Sequence, residues 1–366
     1  MTDPAPIDPV DLVRELVRRP TVSGDPRPQR DVMGLVTEVL TAHAPHLQRR
    51  TGDDPDQPWT LLTTPTDPDR PRLLFACHVD TVPAADAAQW QRDPFGADAD
   101  GGRVWGRGGS DMKAGLVAAV AAVAAADPDV PVGLLLTSDE EIGSRGAQVA
   151  AAALAGTRTG AVVVPEATGN EVVLGHRGAL WLAVRAAGRA AHGSTPHLGH
   201  NAVLDLVAVL ARAGGPGGAG LPLATEDFLG TETWNPGVIA GGTVPNVVPD
   251  AAEVVVDMRT VGDGATLQAW WRAQPEVADV EVRVDLPPLR TPADDPWVRA
   301  LPAVVRPDPA TYFTDASVLG PVADGAPVVV WGPGTPAVMH ARDEYVEVAE
   351  LEQAVRVFGE VVSRWG

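Results

Sequence analysis

Four short apolar runs, at residues 73–76, 132–136, 161–164 and 328–331, constrain this chain more than any other feature. Each is continuous instead of alternating and is bounded by polar or turn residues, as expected of strands covered on both faces of a parallel sheet. Helical segments at 113–126 and 146–155 separate the first three. That order predicts an α/β fold, mainly a parallel sheet with helices on its faces. Asp8, Pro9 and Asp11 read as the start of an opening helix carrying Val10, Val13, Leu16 and Val17, and a second helix is expected near 29–43, closed by Pro45.

Between residues 178 and 286 the texture changes. Leu180, Leu182 and Val184 alternate with Trp181, Ala183 and Arg185, the period of a strand with one open face. A helix at 201–213, a Gly/Pro-rich loop at 214–222, strands at 237–241 and 252–260, a helix at 266–273 and a strand at 280–284 follow. This βαββαβ order is ferredoxin-like. The expected organisation is a catalytic domain formed by 1–177 and 287–366, ending in a helix at 348–362, with an α+β domain of 178–286 inserted.

The 48 acidic residues outnumber the 28 basic ones, giving a net charge of -20, the wrong sign for a surface that neutralises phosphates. Nucleic acid is not an expected partner. The one cysteine, Cys77, cannot form an internal disulfide and fits a reducing compartment. With no basic flank and apolar run at the N-terminus, the expected location is the cytoplasm. The longest apolar stretch, 115–126, is too short and too rich in alanine to span a bilayer. Lys113 is the only lysine, so a compact ammonium is expected to matter there.

In open α/β sheets, ligands bind beyond the carboxyl ends of the strands. The polar residues gather there: His78 and Asp80 after the first run, Glu140 and Glu141 after the second, Glu166 after the third, and His340 after the fourth. Asp111 precedes the alanine-rich helix. Acids that converge repel one another unless a cation lies among them, and histidines with carboxylates suit zinc or a similar divalent metal. Two ions about 3.5–4 Å apart can share a carboxylate and still leave room for water. Each residue also has an ordinary reading. His78 fits a core histidine, Glu140-Glu141 a solvated helix start, Glu166 a loop acid, and His340 to Glu344 a charged surface loop. Asp111 and Lys113 fit helix caps.

The runs HVDTVP, GRGGSDMKAG, TSDEEIGSRGA, AHGSTPHLGHNAV, GGTVPNVVPDAAEVVVDMRT and GPGTPAVMHARDEYV, with the Glu166 segment, come in order along nearly the whole chain. Together they resemble the acetylornithine deacetylase / succinyl-diaminopimelate desuccinylase family of di-zinc metallopeptidases and aminoacylases. The resemblance implies two divalent ions, zinc first and cobalt or manganese as alternatives. It implies His78, Asp111 and Glu166 as ligands of one ion and Asp111, Glu141 and His340 as ligands of the other, with Asp111 shared. It implies that Asp80 orients His78, that Glu140 is the general base toward metal-activated water, and that His192 steadies an oxyanion in a partner subunit's site. Asn246 and Arg259 fall at substrate-binding positions, and the inserted domain becomes a dimerisation and lid domain of a homodimer. The implied reaction is hydrolysis of the amide of an N-acyl amino acid. A dipeptidase or glutamate-type carboxypeptidase is the alternative, and an inactive metal- or peptide-binding protein the third reading. One departure stands out. The family often has Glu-Pro-Thr where this chain has Pro165-Glu166-Ala167-Thr168, which leaves the Glu166 loop open.

Overall fold

The four continuous runs lie side by side in one six-stranded sheet, in a computed structural model that describes residues 6–154, 157–214 and 220–365. The strand order is Gln48–Thr51, Thr60–Thr63, Val132–Thr137, Arg72–His78, Thr159–Val164, Val328–Val330, and the last four run parallel. Every residue of Arg72–His78 and Val132–Thr137 is buried, which is why neither alternates. The first two strands are antiparallel to their neighbours and are not signalled by the sequence. Gln48–Thr51 is exposed along its length, and Thr60–Thr63 is a four-residue run in a segment rich in proline and aspartate.

The Ala114–Ala124 helix is apolar all round, and it packs on the two central strands and against the helices Pro9–Val17 and Val348–Ser363. It begins after a wide turn, Gly109–Lys113, and Lys113 stands at its N-cap position, but neither its side chain nor that of Asp111 makes a capping hydrogen bond. The fully buried Lys113 instead donates its Nζ to the carbonyls of Leu16 and Arg19, 3.0 Å each, where the first helix ends. Terminal helix carbonyls lack helical partners, and a compact ammonium reaches two of them at once. The second helix starts at Pro26, ahead of residue 29, because Asp25 accepts the Arg27 N–H and a proline in the first turn needs no partner.

The chain forms two compact units. The first comprises Met1–Gly175, Leu289–Pro307 and Thr314–Gly366 and contains the six-stranded sheet. The second comprises His176–Pro288 and Asp308–Phe313. Its antiparallel sheet has the order Thr233–Gly241, Ala251–Thr260, Gly178–Ala187, Asp279–Leu286, and with the helices Ala202–Ala213 and Ala265–Arg272 it makes a βαββαβ unit. Leu180, Leu182, Val184, Val254, Val256 and Met258 share a core with Leu206, Val209 and Trp271. The intervening Trp181, Arg185, Glu253, Asp257 and Arg259 are half-buried. Asp308–Phe313 joins this unit because Ala310 bridges His176 and the Phe313 ring meets Trp181 edge-on at 6.2 Å. Residues 215–219 of the expected Gly/Pro-rich loop lie outside the described residues. Among the described residues no helix is long and apolar enough to cross a membrane.

Candidate metal centre

The carboxyl ends of the parallel strands deliver the polar side chains of the first unit to one place. His78 ends its strand, Glu140 and Glu141 follow Val132–Thr137, Glu166 follows Thr159–Val164, and His340 lies in the loop after Val328–Val330. Two groups result, His78 with Asp111 and Glu166, and Asp111 with Glu141 and His340. Asp111 belongs to both. Its Oδ1 is 3.2 Å from His78 Nε2, and its Oδ2 is 3.1 Å from His340 Nε2. Glu166 Oε1 is 3.3 Å from His78 Nε2, and Glu141 Oε2 is 2.9 Å from His340 Nε2. His78, Asp111 and Glu166 are buried, whereas the His340 side chain is half open to solvent.

Asp80 organises the surroundings. His78 Nδ1 lies 3.1 Å from the Asp80 carbonyl and 3.4 Å from its carboxylate, so a proton held on Nδ1 leaves the Nε2 lone pair facing Asp111 and Glu166. The same carboxylate accepts the backbone N–H groups of Glu140 at 3.0 Å and Glu141 at 3.3 Å. One residue thereby fixes a histidine ring and the loop of two glutamates. Asp139, next to Glu140, accepts from Gly24 and from the side chains of Gln29 and Gln57, which ties that loop to the N-terminal segments. The loop of Glu166 is fixed by close packing. A Cβ on Gly115 would stand 1.8 Å from the Pro165 carbonyl oxygen and one on Gly332 2.4 Å from it, so glycines on two sides hold the turn with its proline at 165.

Electrostatics show what the cluster lacks. Burial pushes Glu166 up to about 7, Asp111 adding to the effect, and burial raises Glu140 and Glu141 as well. Hydrogen bonds to Asp111 and Glu141 lift His340 to about 10. His78 also stands well above its usual value, because Glu166, Asp111 and Asp80 outweigh its burial. Buried acids held this close want positive charge, and without another source the histidines supply it. Glu140 Oε1, Glu141 Oε1 and Glu166 Oε2 are buried and have no hydrogen-bond partner among the described residues. Orphaned carboxylate oxygens beside two histidine nitrogens are the donor set of a divalent cation, so the residues fit metal.

Residues 74–364 match the peptidase family M20/M25/M40. The chain belongs to this family. A succinyl-diaminopimelate desuccinylase of Cereibacter sphaeroides is 30% identical over 389 residues, spanning 96% of this chain and 97% of the relative. A probable carboxypeptidase of Ajellomyces dermatitidis is 30% identical over 335 residues, spanning 85% of this chain and 75% of the relative. A solved M20 family metallo-carboxypeptidase from Sulfolobus solfataricus shares the fold with a TM-score of 0.84 at 18% identity, over 98% of this chain and 99% of that one. This M20 protein is a hydrolase of amide bonds with an α/β metallopeptidase fold.

The remaining residues singled out from the sequence lie in the second unit of the M20 chain. His192 is exposed, its Nδ1 2.7 Å from Ser194 Oγ, and its strand bridge to Val247 brings it beside Asn246, whose carbonyl accepts the Gly193 N–H at 2.7 Å. Arg259 pairs with Asp257 through Nη2 at 3.0 Å and lies 5.3 Å over Phe313, while its Nη1 is buried without a partner among the described residues. Sequence reasoning missed two buried acids. Glu344 pairs with Arg107, and Asp315 accepts the Thr137 hydroxyl at 2.5 Å and feels the charge of His78. The only signals for Glu344 and Arg107 are their places inside two of the matched runs. Asp315, in the segment Thr314-Asp315-Ala316-Ser317, carries no such signal.

Proposed function

We propose that this M20 hydrolase is a deacylase that removes an acyl group from an N-acyl amino acid. The observation that carries the reading is Asp111 shared between two histidine and glutamate pairs, with Glu140, whose buried Oε1 has no partner among the described residues, in electrostatic interaction with His78 and Glu141. The desuccinylase relative, matched end to end, supports the acyl amino acid class. The carboxypeptidase relative keeps a peptidase as the second reading.

In this proposal His78, Asp111 and Glu166 hold one divalent ion, and Asp111, Glu141 and His340 hold the other, zinc being the first candidate. When bound, such ions polarise the scissile carbonyl and acidify water. Glu140 takes the water's proton on its free Oε1 and later passes it to the leaving nitrogen. Asp80 holds the Glu140 backbone still throughout. His192 of one subunit donates to the developing oxyanion in the other subunit's site, and Arg259 with Asn246 grips the substrate carboxylate. A screen of N-acetyl, N-succinyl and N-carbamoyl amino acids beside dipeptides, with added zinc, cobalt or manganese, tests the reading. Higher kcat/KM on dipeptides than on every N-acyl amino acid would overturn it in favour of the peptidase.

Carboxylate recognition gives a separate expectation. Arg259 retains one buried donor after pairing with Asp257, and a charge-assisted contact contributes about 1.5–3 kcal/mol. Arg259→Ala should therefore lower kcat/KM for a free-acid substrate by roughly one to two orders of magnitude and leave its methyl ester nearly unaffected. An equal penalty on both substrates makes Arg259 structural.

The homodimer proposal draws on the second unit. Thr233–Gly241 is a sheet edge that exposes Val238 and Ile239, and Leu204 and Val207 are exposed on the Ala202–Ala213 helix. An open apolar edge of this kind is a template for pairing. Light scattering should give the mass of two chains, and Ile239→Lys should give that of one. Mixed His192→Ala and Glu140→Gln chains should recover activity that neither has alone. A fully active monomer refutes both the dimer and the shared role of His192.

A further inference from the structure

Glu344 stands four residues past His340, is fully enclosed, and makes an unusual set of contacts. Its Oε1 accepts two successive backbone N–H groups, Ser110 at 2.9 Å and Asp111 at 3.1 Å. Its Oε2 accepts Arg107 Nη1 at 2.5 Å. The same guanidinium, lying 5.2 Å over the Trp90 ring, sends Nη2 to the carbonyl of His340 at 3.3 Å. Asp111 is extended, φ -117° and ψ 95°, in the middle of the wide turn, so its N–H has no helical acceptor and depends on this carboxylate. His340 has φ 60°, a left-handed conformation that a residue with a side chain keeps only where its neighbours hold it.

A buried ion pair is poor value for stability alone, because desolvation offsets much of its attraction. Here its remaining hydrogen bonds go to the main chain of Ser110, Asp111 and His340, and the last two face each other as Asp111 Oδ2 and His340 Nε2. We propose that Glu344 and Arg107 form a positioning clamp for the ion held by Asp111, Glu141 and His340. The clamp fixes the separation of Asp111 from His340 and touches neither His78 nor Glu166. It rests on reading these residues as metal ligands. Both clamp residues are enclosed and act through the main chain that they hold.

The test is calorimetric titration of the metal-free full chain with zinc, together with the visible spectrum on cobalt addition. Wild type should take up two ions in separable steps. Glu344→Gln keeps an acceptor for the backbone but turns an amide NH₂ toward Arg107, so one step, that of the Asp111, Glu141 and His340 group, should lose about 10–100-fold in affinity while the other, which shares Asp111, loses clearly less. Arg107→Lys keeps the charge yet cannot serve Glu344 and the His340 carbonyl together, and it should reproduce that selective loss with an altered cobalt spectrum for the second ion. If Glu344→Gln fails to fold, Arg107→Lys decides. Two unchanged steps, or both weakened equally, overturn the clamp and leave the pair a structural one. Wild type that binds fewer than two ions overturns the ligand reading itself, and the clamp falls with it.

Discussion

Asp111→Asn should leave a folded chain that no longer holds a pair of ions and hydrolyses its substrate at least about three orders of magnitude more slowly. The expectation follows from the two oxygens of this side chain, one facing each histidine. Asparagine is the same size and keeps the backbone N–H that Glu344 holds, so the wide turn survives. It removes the charge that both groups share and turns an NH₂ toward one of the two histidines. His78 is then left with Glu166, and His340 with Glu141, two candidate ligands apiece where zinc sites in proteins use at least three. Several kcal/mol of electrostatic stabilisation disappear with the ions, and each 1.36 kcal/mol is tenfold in rate. Elemental analysis after gel filtration and circular dichroism check the two halves. Normal metal content with normal turnover would remove Asp111 from the centre of the site.

The sequence discloses this site unevenly, and the reasons are physical. Buried parallel strands demand continuous apolar runs, so the ends of the His78 and Glu166 strands can be found by composition alone, and whatever polar residue follows them must face the rim. The second unit shows the complementary case. Strict alternation at Leu180, Leu182 and Val184 reflects a sheet covered by helices on one side, and those residues do line its core. Thr60–Thr63 was illegible because an antiparallel strand of four residues between polar loops has too little period to detect. Glu344 was illegible for a different reason. Between Asp343 and Tyr345 it reads as one charge in a surface loop, and only tertiary contact with Arg107 and the Asp111 turn makes it an enclosed acid. Residues that bind through side chains at strand ends announce themselves by position. Residues that hold other residues' backbones do not, because nothing in their own neighbourhood differs from solvated loop.

Glu140→Gln should retain both ions and lose roughly 10²–10⁴-fold in kcat, the usual contribution of a general base. Glutamine matches glutamate in shape, and the backbone N–H that anchors residue 140 to Asp80 is untouched, so the loop that also carries Glu141 should keep its course. Glu141 keeps its contact with His340 at 2.9 Å, which is why metal content should stay at the wild-type level. The chemistry is what changes. Burial, with His78 opposing and Glu141 adding, raises the affinity of Glu140 for protons well above that of an ordinary carboxylate while no cation lies beside it. Its Oε1 is buried with no hydrogen-bond partner among the described residues, an acceptor with capacity to spare. An amide oxygen accepts a hydrogen bond but is far too weak a base to take the proton, so a water is still positioned but is not deprotonated. The decisive comparison sets kcat against metal stoichiometry in the same preparation. If kcat falls in proportion to lost metal, Glu140 is acting as a ligand. If turnover stays near wild type, the base must be sought elsewhere on the rim, and Asp315, buried and with Oδ1 unpartnered among the described residues, is the first place to look.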